Sequence, residues 1–294
     1  MTRSDVMRYG GNTACIEVRV GGTTIIIDAG SGLYPLTLDR YGEIARSGAR
    51  VHLLISHTHW DHIIGLPYFS PLYHPNSHIT FYGLKRSRKH LQDVLAGVLS
   101  RPLFPTDLSQ AKSDLSFREL EPYTRFTIED GVQVTTSRLN HPYQALGYRL
   151  ECETGCLAYV CDTGPFHDIL FDEQPAQWSA EPQDTDPAVK QTLARMKAGA
   201  LTLMDEADWV IYDAHFTARD YEAKFHHGHS TPAQAAEMAL EAGAKHLLLF
   251  HHAPERTDDQ VDMMLAACRA RLGGKGLHVS AAREGLILQR GGSQ

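Results

Sequence analysis

Four possible metal ligands within six residues, close behind an apolar segment, are the feature that most constrains what this chain can fold into. Val51–Ile55 is an apolar run typical of a buried strand, and the short stretch after it contains His57, His59, Asp61 and His62. From an extended loop, His57 and His59 can point the same way and bind one ion. Asp61 and His62 then turn toward a second ion. Imidazole and carboxylate ligands of this kind suit zinc, iron or manganese better than calcium or magnesium.

Composition and charge narrow the classes of protein that remain. The chain has 294 residues, of which 43% are hydrophobic and 21% charged, as in a soluble, well-packed globular protein. Its formal net charge of -7 argues against a bulk nucleic-acid binder. Five cysteines without a C-x-x-C pair indicate a reducing, cytoplasmic location. No apolar run approaches the roughly 20 residues that a membrane span needs, so we expect no membrane partner.

The order of apolar segments predicts an α/β protein with two packed sheets. A first series of strands ends near Ile79–Tyr82, a second begins near Arg125, and Leu286–Gln289 is expected to be the last strand. Thr231, followed by proline, is expected to begin a helix. Without internal repeats or low-complexity linkers, the sequence predicts a single domain over residues 1–294, with a surface insertion at about 166–187.

The cluster from His57 to His62 resembles the signature His-x-His-x-Asp-His of the metallo-β-lactamase-fold hydrolase superfamily. Asp28, in Asp-Ala-Gly, is similar to an early Asp-x-Gly of that family, where the aspartate supports the metal loop by hydrogen bonds. Further motifs extend the resemblance from about residue 10 to residue 256. The resemblance implies a four-layer αββα sandwich.

The resemblance also implies a set of metal ligands for two divalent cations, which we expect to be zinc, with manganese or iron as alternatives. The first ion would be held by His57, His59 and His141, and the second by Asp61, His62 and His251, with Asp162 bridging them. His252 is an alternative to His251 as the last ligand. Two such ions can share a hydroxide that attacks an electrophile.

A second group of residues resembles the ribonuclease Z and cyclic-phosphodiesterase branch of the superfamily. There, an acidic residue after a strand partners a histidine of a His-Ser-Thr segment, and the matching positions here are Asp213 and His229. This implies that His229 contacts the phosphate or protonates the leaving oxygen, while Asp213 orients its ring. Asp61 is the third residue expected to act in catalysis. The neighbouring His226 and His227 are interpreted as polar loop residues.

The substrate expected is a small cyclic or nucleotide phosphodiester. Ribonuclease Z enzymes bind transfer RNA with a long basic arm between the third histidine and the bridging aspartate, but only about twenty residues separate His141 from Asp162 here. The basic stretch from Lys85 to His90 is too short to replace such an arm and is interpreted as a solvated surface.

Other functions stay open at this point. The main alternative is a lactonase or β-lactamase-like hydrolase of carbonyl substrates, which would not need the pair of Asp213 and His229. A di-iron oxidoreductase and a metal-binding scaffold without catalysis are less favoured. A homodimer is compatible with the sequence.

Overall fold

The computed structural model describes residues 4–40, 43, 47–87, 89–167 and 187–290. The chain divides into two compact units. The N-terminal unit comprises Asn12–Pro122 and Glu129–Gly131, and the C-terminal unit comprises Met1–Gly11, Tyr123–Ile128 and Val132–Gln294. The single domain expected over residues 1–294 stays a prediction. Of the predicted insertion at about 166–187, residues 168–186 lie outside the described residues.

The N-terminal unit is built on a five-stranded sheet with the order β1-β2-β3-β4-β5. Its strands are β1 (Ile16–Val20), β2 (Thr23–Ile27), β3 (Arg50–Leu54), β4 (His78–Leu84) and β5 (Asp114–Leu120). The first pair is antiparallel and the others are parallel. Two of its helices are α1 (Leu33–Asp39) and α2 (Leu91–Val98). The core of this unit contains side chains of β2, β3, β4 and α2, which pack as one apolar cluster.

The C-terminal unit is built on a seven-stranded sheet with the order β12-β11-β10-β9-β8-β7-β6. Its strands are β6 (Arg125–Thr127), β7 (Gln133–Leu139), β8 (Ala145–Cys152), β9 (Gly155–Val160), β10 (Trp209–Asp213), β11 (His246–Phe250) and β12 (His278–Ala281). Its helices are α3 (Pro187–Met204), α4 (Ala218–Lys224), α5 (Pro232–Glu241) and α6 (Asp258–Leu272). Thr231 caps α5 with Gln234 in a capping box, as predicted. Across the described ranges, no helix is both long and apolar enough to cross a membrane.

Strand direction in the C-terminal unit determines where functional side chains gather. Strands β9, β10, β11 and β12 are parallel, and β7 runs in the same direction because β7 pairs with β8, and β8 with β9, in antiparallel fashion. The carboxyl ends of β7, β9, β10 and β11 therefore meet at one edge of the sheet, which is where α/β proteins place their ligands.

Two features of the strand pattern differ from the sequence analysis. The prediction of a last strand at Leu286–Gln289 is wrong, since these residues lie outside any strand and Ile287 is 76% exposed. Its apolar residues do not pair with a neighbouring strand, and β12 ends at Ala281 instead. Strand β5 was not predicted, although Leu115 and Phe117 alternate with polar residues, as is typical of an edge strand.

The loop that carries the histidine cluster lies so close to the loop after β2 that a side chain at Gly65 would not fit. A Cβ atom on Gly65 would lie 2.1 Å from the carbonyl oxygen of Gly30. We expect Gly65→Ala to lower the free energy of unfolding by about 2 kcal/mol or more, because backbone must move to admit the methyl group. Urea unfolding would measure this.

Gly97 offers a matched control in the same unit. It lies within α2, and a Cβ there would meet nothing within 4 Å. Gly97→Ala should raise the free energy of unfolding by about 0.5–1 kcal/mol, since alanine favours the helix. Equal effects at both positions would show that the close approach at Gly65 is not a constraint.

Candidate active site

Asp28 organises the histidine cluster of the N-terminal unit. It directly follows β2, is fully buried and adopts a left-handed backbone conformation with φ 61. Its carboxylate accepts hydrogen bonds from the Ser56 backbone amide (2.7 Å) and the Ser56 hydroxyl (2.8 Å), and from His62 Nδ1 (2.8 Å). Because Asp28 is linked to both Ser56 and His62, it fixes the start and the end of the segment that carries the cluster.

These bonds determine which ring nitrogen of each histidine can bind a metal. A carboxylate only accepts, so His62 donates from Nδ1 and keeps its Nε2 lone pair. The Ser56 hydroxyl donates to Asp28 and can accept from His57 Nδ1, 3.1 Å away, which leaves Nε2 of His57 available to a metal. That nitrogen lies 2.9 Å from His59 Nδ1. Two nitrogens bound to one zinc ion are separated by about 3.3 Å, so this pair is close to a chelating arrangement.

The other two members of this histidine cluster differ in burial. His62 is fully buried, whereas the Asp61 side chain is 40% exposed, and its Oδ2 lies 3.3 Å from His62 Nε2. The short turn Trp60–His62 places both side chains. An exposed carboxylate beside a buried imidazole can reach a ligand from solvent and still share an ion with that imidazole.

We expect Asp28→Asn to weaken metal binding by about 10–100-fold, because residues that orient metal-bound histidines have effects of this size. Asparagine offers one acceptor oxygen, whereas the carboxylate uses both, so at least one donor from Ser56 or His62 loses its partner. Competition with a chromogenic chelator would measure the affinity.

Asp130 provides the matched control, since its carboxylate also accepts three bonds, from Gly22 and Thr23 in the same unit. Asp130→Asn should change stability but leave the metal affinity within about threefold, well below the effect of an orienting residue. A similar loss of affinity in both variants would contradict a specific role for Asp28.

The C-terminal unit contains its own group of candidate residues, at the carboxyl edge of its sheet. His141 follows β7, Asp162 follows β9 and His251 follows β11. Asp162 Oδ2 lies 3.7 Å from His141 Nε2, and Asp162 Oδ1 lies 3.6 Å from His251 Nε2. Each oxygen of the Asp162 carboxylate thus faces a different imidazole, as a residue that bridges two ions would require.

His141 has the same hydrogen-bond arrangement as His62. Its Nδ1 lies 2.9 Å from the carbonyl oxygen of Gly228, which can only accept, so Nδ1 carries the proton and Nε2 is available to a metal. Gly228 has φ 81, and a Cβ there would lie 2.6 Å from the His141 ring. Glycine is therefore needed to bring this carbonyl to the ring.

The structure distinguishes His251 from His252. His252 donates from Nε2 to the carbonyl oxygen of Ala282 at 3.1 Å, and its ring packs edge-on against Tyr9. Burial lowers the pKa of His252 to about 4, so it is a neutral, structural imidazole at neutral pH. His251 instead faces Asp162.

Asp213 and His229 form a carboxylate–imidazole pair in the C-terminal unit. His229 Nδ1 lies 2.8 Å from Asp213 Oδ2, and the backbone amides of Thr163, His215 and Ser230 also donate to this fully buried carboxylate. Burial raises the pKa of the Asp213 carboxyl, but the charge and hydrogen bond of His229 outweigh it, so its pKa lies below the usual value. An ionised Asp213 accepts the hydrogen bond from His229 Nδ1 and so orients the imidazole.

Two residues near these groups received no role in the sequence analysis. His215 stacks on His229 with ring centroids 4.3 Å apart, and Ser56 links His57 to Asp28. The available signal was position, because each lies within two residues of a candidate at the end of a strand. Burial lowers the pKa of His215 to about 4, and His229 and His251 act in the same direction.

The donor set fits a divalent metal. Ligand atoms of Asp162, Asp213, His229 and His251 all lie within 4.8 Å of one another in the C-terminal unit, and two of these residues, Asp162 and His251, belong to the predicted ligand set. His62 and His141 each donate a hydrogen bond from Nδ1, to a carboxylate and to a carbonyl oxygen respectively, which is the usual arrangement of metal-bound histidine. Within each unit, the predicted site residues that belong to it lie near one another. His226 and His227 lie in a short turn after α4.

Comparisons with known proteins give the family. The family described as "Beta-lactamase superfamily domain" matches residues 23–177. Ribonuclease Z of Exiguobacterium sibiricum is 26% identical over 229 residues, which cover 71% of this chain and 73% of that protein.

Two solved structures have the same fold. The metallo-beta-lactamase fold protein YhfI from Bacillus subtilis gives a TM-score of 0.60 at 18% identity, covering 96% of both chains. The short form of human tRNase Z gives a TM-score of 0.62 at 17% identity, covering 97% of this chain and 96% of that one. The predicted fold class, a mixed α/β protein with two sheets and the metallo-β-lactamase fold, is thereby confirmed. The chain belongs to the beta-lactamase superfamily domain family.

Proposed function

We propose that this chain is a dinuclear phosphodiesterase that hydrolyses small cyclic or nucleotide phosphodiesters. That the chain is a metal-dependent hydrolase follows from its family and from relatives named ribonuclease Z. The observation that supports the proposed phosphodiesterase is the pair of Asp213 and His229, held at the same sheet edge as Asp162 and His251. Hydrolysis of a phosphodiester needs a proton at the leaving oxygen, and a histidine held by a carboxylate can supply it.

The resemblance to the family implies that residues of this chain hold two cations. We assign His57, His59 and His141 to one ion, and Asp61, His62 and His251 to the other, with Asp162 between them. Zinc is the metal proposed, and manganese and iron are the alternatives that such ligands accept. Bound cations of this kind lower the pKa of water and neutralise charge on the phosphoryl group.

The side chains of the protein have separate tasks in this proposal. Asp213 holds His229 by Nδ1, so that the proton to be transferred lies on Nε2. Asp61, which is partly exposed, can contact the entering substrate as well as the ion that it shares with His62.

The preference for a small substrate rests on the segment between His141 and Asp162. All of its residues are described, and they form the hairpin of β8 and β9 rather than an extended arm. In the basic stretch, Lys85 pairs with Glu121 and His90 with Glu119, so part of its charge is compensated. Ribonuclease Z, by its name, cleaves RNA, which fits poorly with this preference and makes RNA the competing substrate to test.

A panel of substrates tests the proposal. The zinc-loaded protein is assayed with bis-p-nitrophenyl phosphate, 2′,3′-cyclic nucleotides, a precursor transfer RNA, a lactone and a chromogenic β-lactam, before and after treatment with a chelator. Chelator-sensitive cleavage of the small phosphodiesters is the expected result. Cleavage of the transfer RNA alone would overturn the substrate class, and activity on the lactone or lactam alone would overturn the phosphodiesterase itself.

A cytoplasmic location and a homodimer stay predictions.

A further inference from the structure

His215 contacts two residues of the proposed site at once. It lies two residues after the end of β10, and its Nδ1 is 2.9 Å from the backbone carbonyl oxygen of His251. Its ring stacks on His229 with centroids 4.3 Å apart and planes 19° apart. One side chain therefore contacts both a proposed metal ligand and the proposed proton donor.

The hydrogen bond to His251 supports an unfavourable backbone conformation. His251 has φ 56, in the left-handed region that residues other than glycine rarely adopt. This conformation turns the chain sharply at the end of β11, where His251 Nε2 faces Asp162. Because a carbonyl oxygen only accepts, His215 donates from Nδ1 and fixes the peptide plane that follows His251.

The ring contact restricts His229 from a second direction. His229 is held along its edge by the bond from Nδ1 to Asp213, and one face of its ring is covered by His215. Phe216 packs against the ring at 5.5 Å in an edge-on arrangement. The stack with His215 adds to the bond with Asp213 in restricting the tilt of the imidazole, which also stacks on His251 with ring centroids 5.0 Å apart.

We infer that His215 is a positioning residue that holds the metal ligand His251 through its hydrogen bond and the proton donor His229 through its stacked ring. The inference rests on the proposed function. It assigns to His215 two physically separate contacts, which two substitutions can remove one at a time.

The test compares His215→Asn with His215→Phe in the full-length protein. The asparagine amide nitrogen can occupy the position of Nδ1 and keep the bond to His251, but it lacks the ring. Phenylalanine keeps a ring beside His229 and lacks the donor. We expect His215→Phe to lower the affinity for zinc about 10–100-fold, as loss of a residue that orients a metal ligand does, and His215→Asn to stay near the wild type.

For turnover, the variant expected to be impaired is His215→Asn rather than His215→Phe. With zinc saturating, His215→Asn should lower kcat about tenfold on a cyclic nucleotide, whose leaving alkoxide needs a proton, and by less than about threefold on bis-p-nitrophenyl phosphate. Zinc affinity is measured by chelator competition, and circular dichroism checks that both variants fold.

The outcomes separate this inference from the proposed function. If the wild type binds no zinc and cleaves no phosphodiester, the proposed function fails. If the wild type does both, and either the two variants match it or both lose affinity and turnover equally, the positioning role of His215 is wrong.

Discussion

Replacing His59 by alanine is expected to remove bound metal and to reduce phosphodiester hydrolysis by about 10³-fold or more, a loss of about 4 kcal/mol in transition-state stabilisation. His59 Nδ1 lies 2.9 Å from His57 Nε2, so the two rings present adjacent ligand atoms. A cation that loses one of these nitrogens keeps a single imidazole from this unit, and its affinity falls accordingly. Elemental analysis after dialysis would measure the metal content.

His59 is the suitable position because its removal disturbs the fold little. His57 is 2% exposed and bonded to Ser56, and His62 is fully buried against Asp28, so alanine at either would also open the core. His59 is only half-buried, and its ring packs edge-on against His57 rather than among the apolar side chains of the core. The loss of metal in His59→Ala can therefore be attributed to the ligand itself.

His78→Ala is the control for this experiment. His78 lies in the same unit, is about half exposed and contacts Asp114 at 3.2 Å. Its removal should leave metal content and activity at the level of the wild type. Full metal content in His59→Ala would exclude His59 as a ligand, and equal losses in the two variants would indicate general damage to the unit.

The positions of the candidate metal ligands could be read from the sequence because they lie at strand ends. His141, Asp162 and His251 each follow a strand, and because these strands run in the same direction, their ends meet at one edge. Strand patterns and motifs both depend on residues that lie close together in the sequence. Both can therefore be recognised from the sequence alone.

The hydrogen bonds that orient these ligands could not be predicted, because their partners are distant in the sequence. His141 is bonded to the carbonyl of Gly228, 87 residues away, and His62 to Asp28, 34 residues away. The left-handed conformations of Asp28 and His251 are likewise set by tertiary structure, since neither residue type requires them. The role of His215 depends on such contacts, so the sequence alone did not reveal it.

The second large effect is expected at His229, and its size should depend on the leaving group. His229→Ala should lower kcat by about 10²–10³-fold on a cyclic nucleotide, because the leaving alkoxide then lacks its proton donor. On bis-p-nitrophenyl phosphate the loss should be less than about threefold, since nitrophenolate leaves as a stable anion and gains little from a general acid. Metal content should be unchanged, as the proposed ligand set does not include His229.

His227→Ala is the matched control, because His227 lies two residues earlier and is exposed. It should behave as the wild type on both substrates. A second variant, Asp213→Asn, tests the orientation of the ring: an amide nitrogen facing Nδ1 of His229 would favour the wrong tautomer, since Nδ1 would then have to accept. This variant should show the same dependence on the leaving group as His229→Ala.

The ratio of the two losses identifies what His229 does. A proton donor acts only in the transition state, so its removal lowers kcat and kcat/KM together on the poor leaving group. A residue that merely binds the phosphate contributes equally to both substrates, and its removal would raise KM on each of them by the same factor. Equal losses on the two substrates would therefore reassign His229 to phosphate binding, and loss of metal would reassign it to the ligand set. Its bond to Asp213 and its position beside His251 are compatible with each role, and the dependence on the leaving group, measured together with the metal content, distinguishes them.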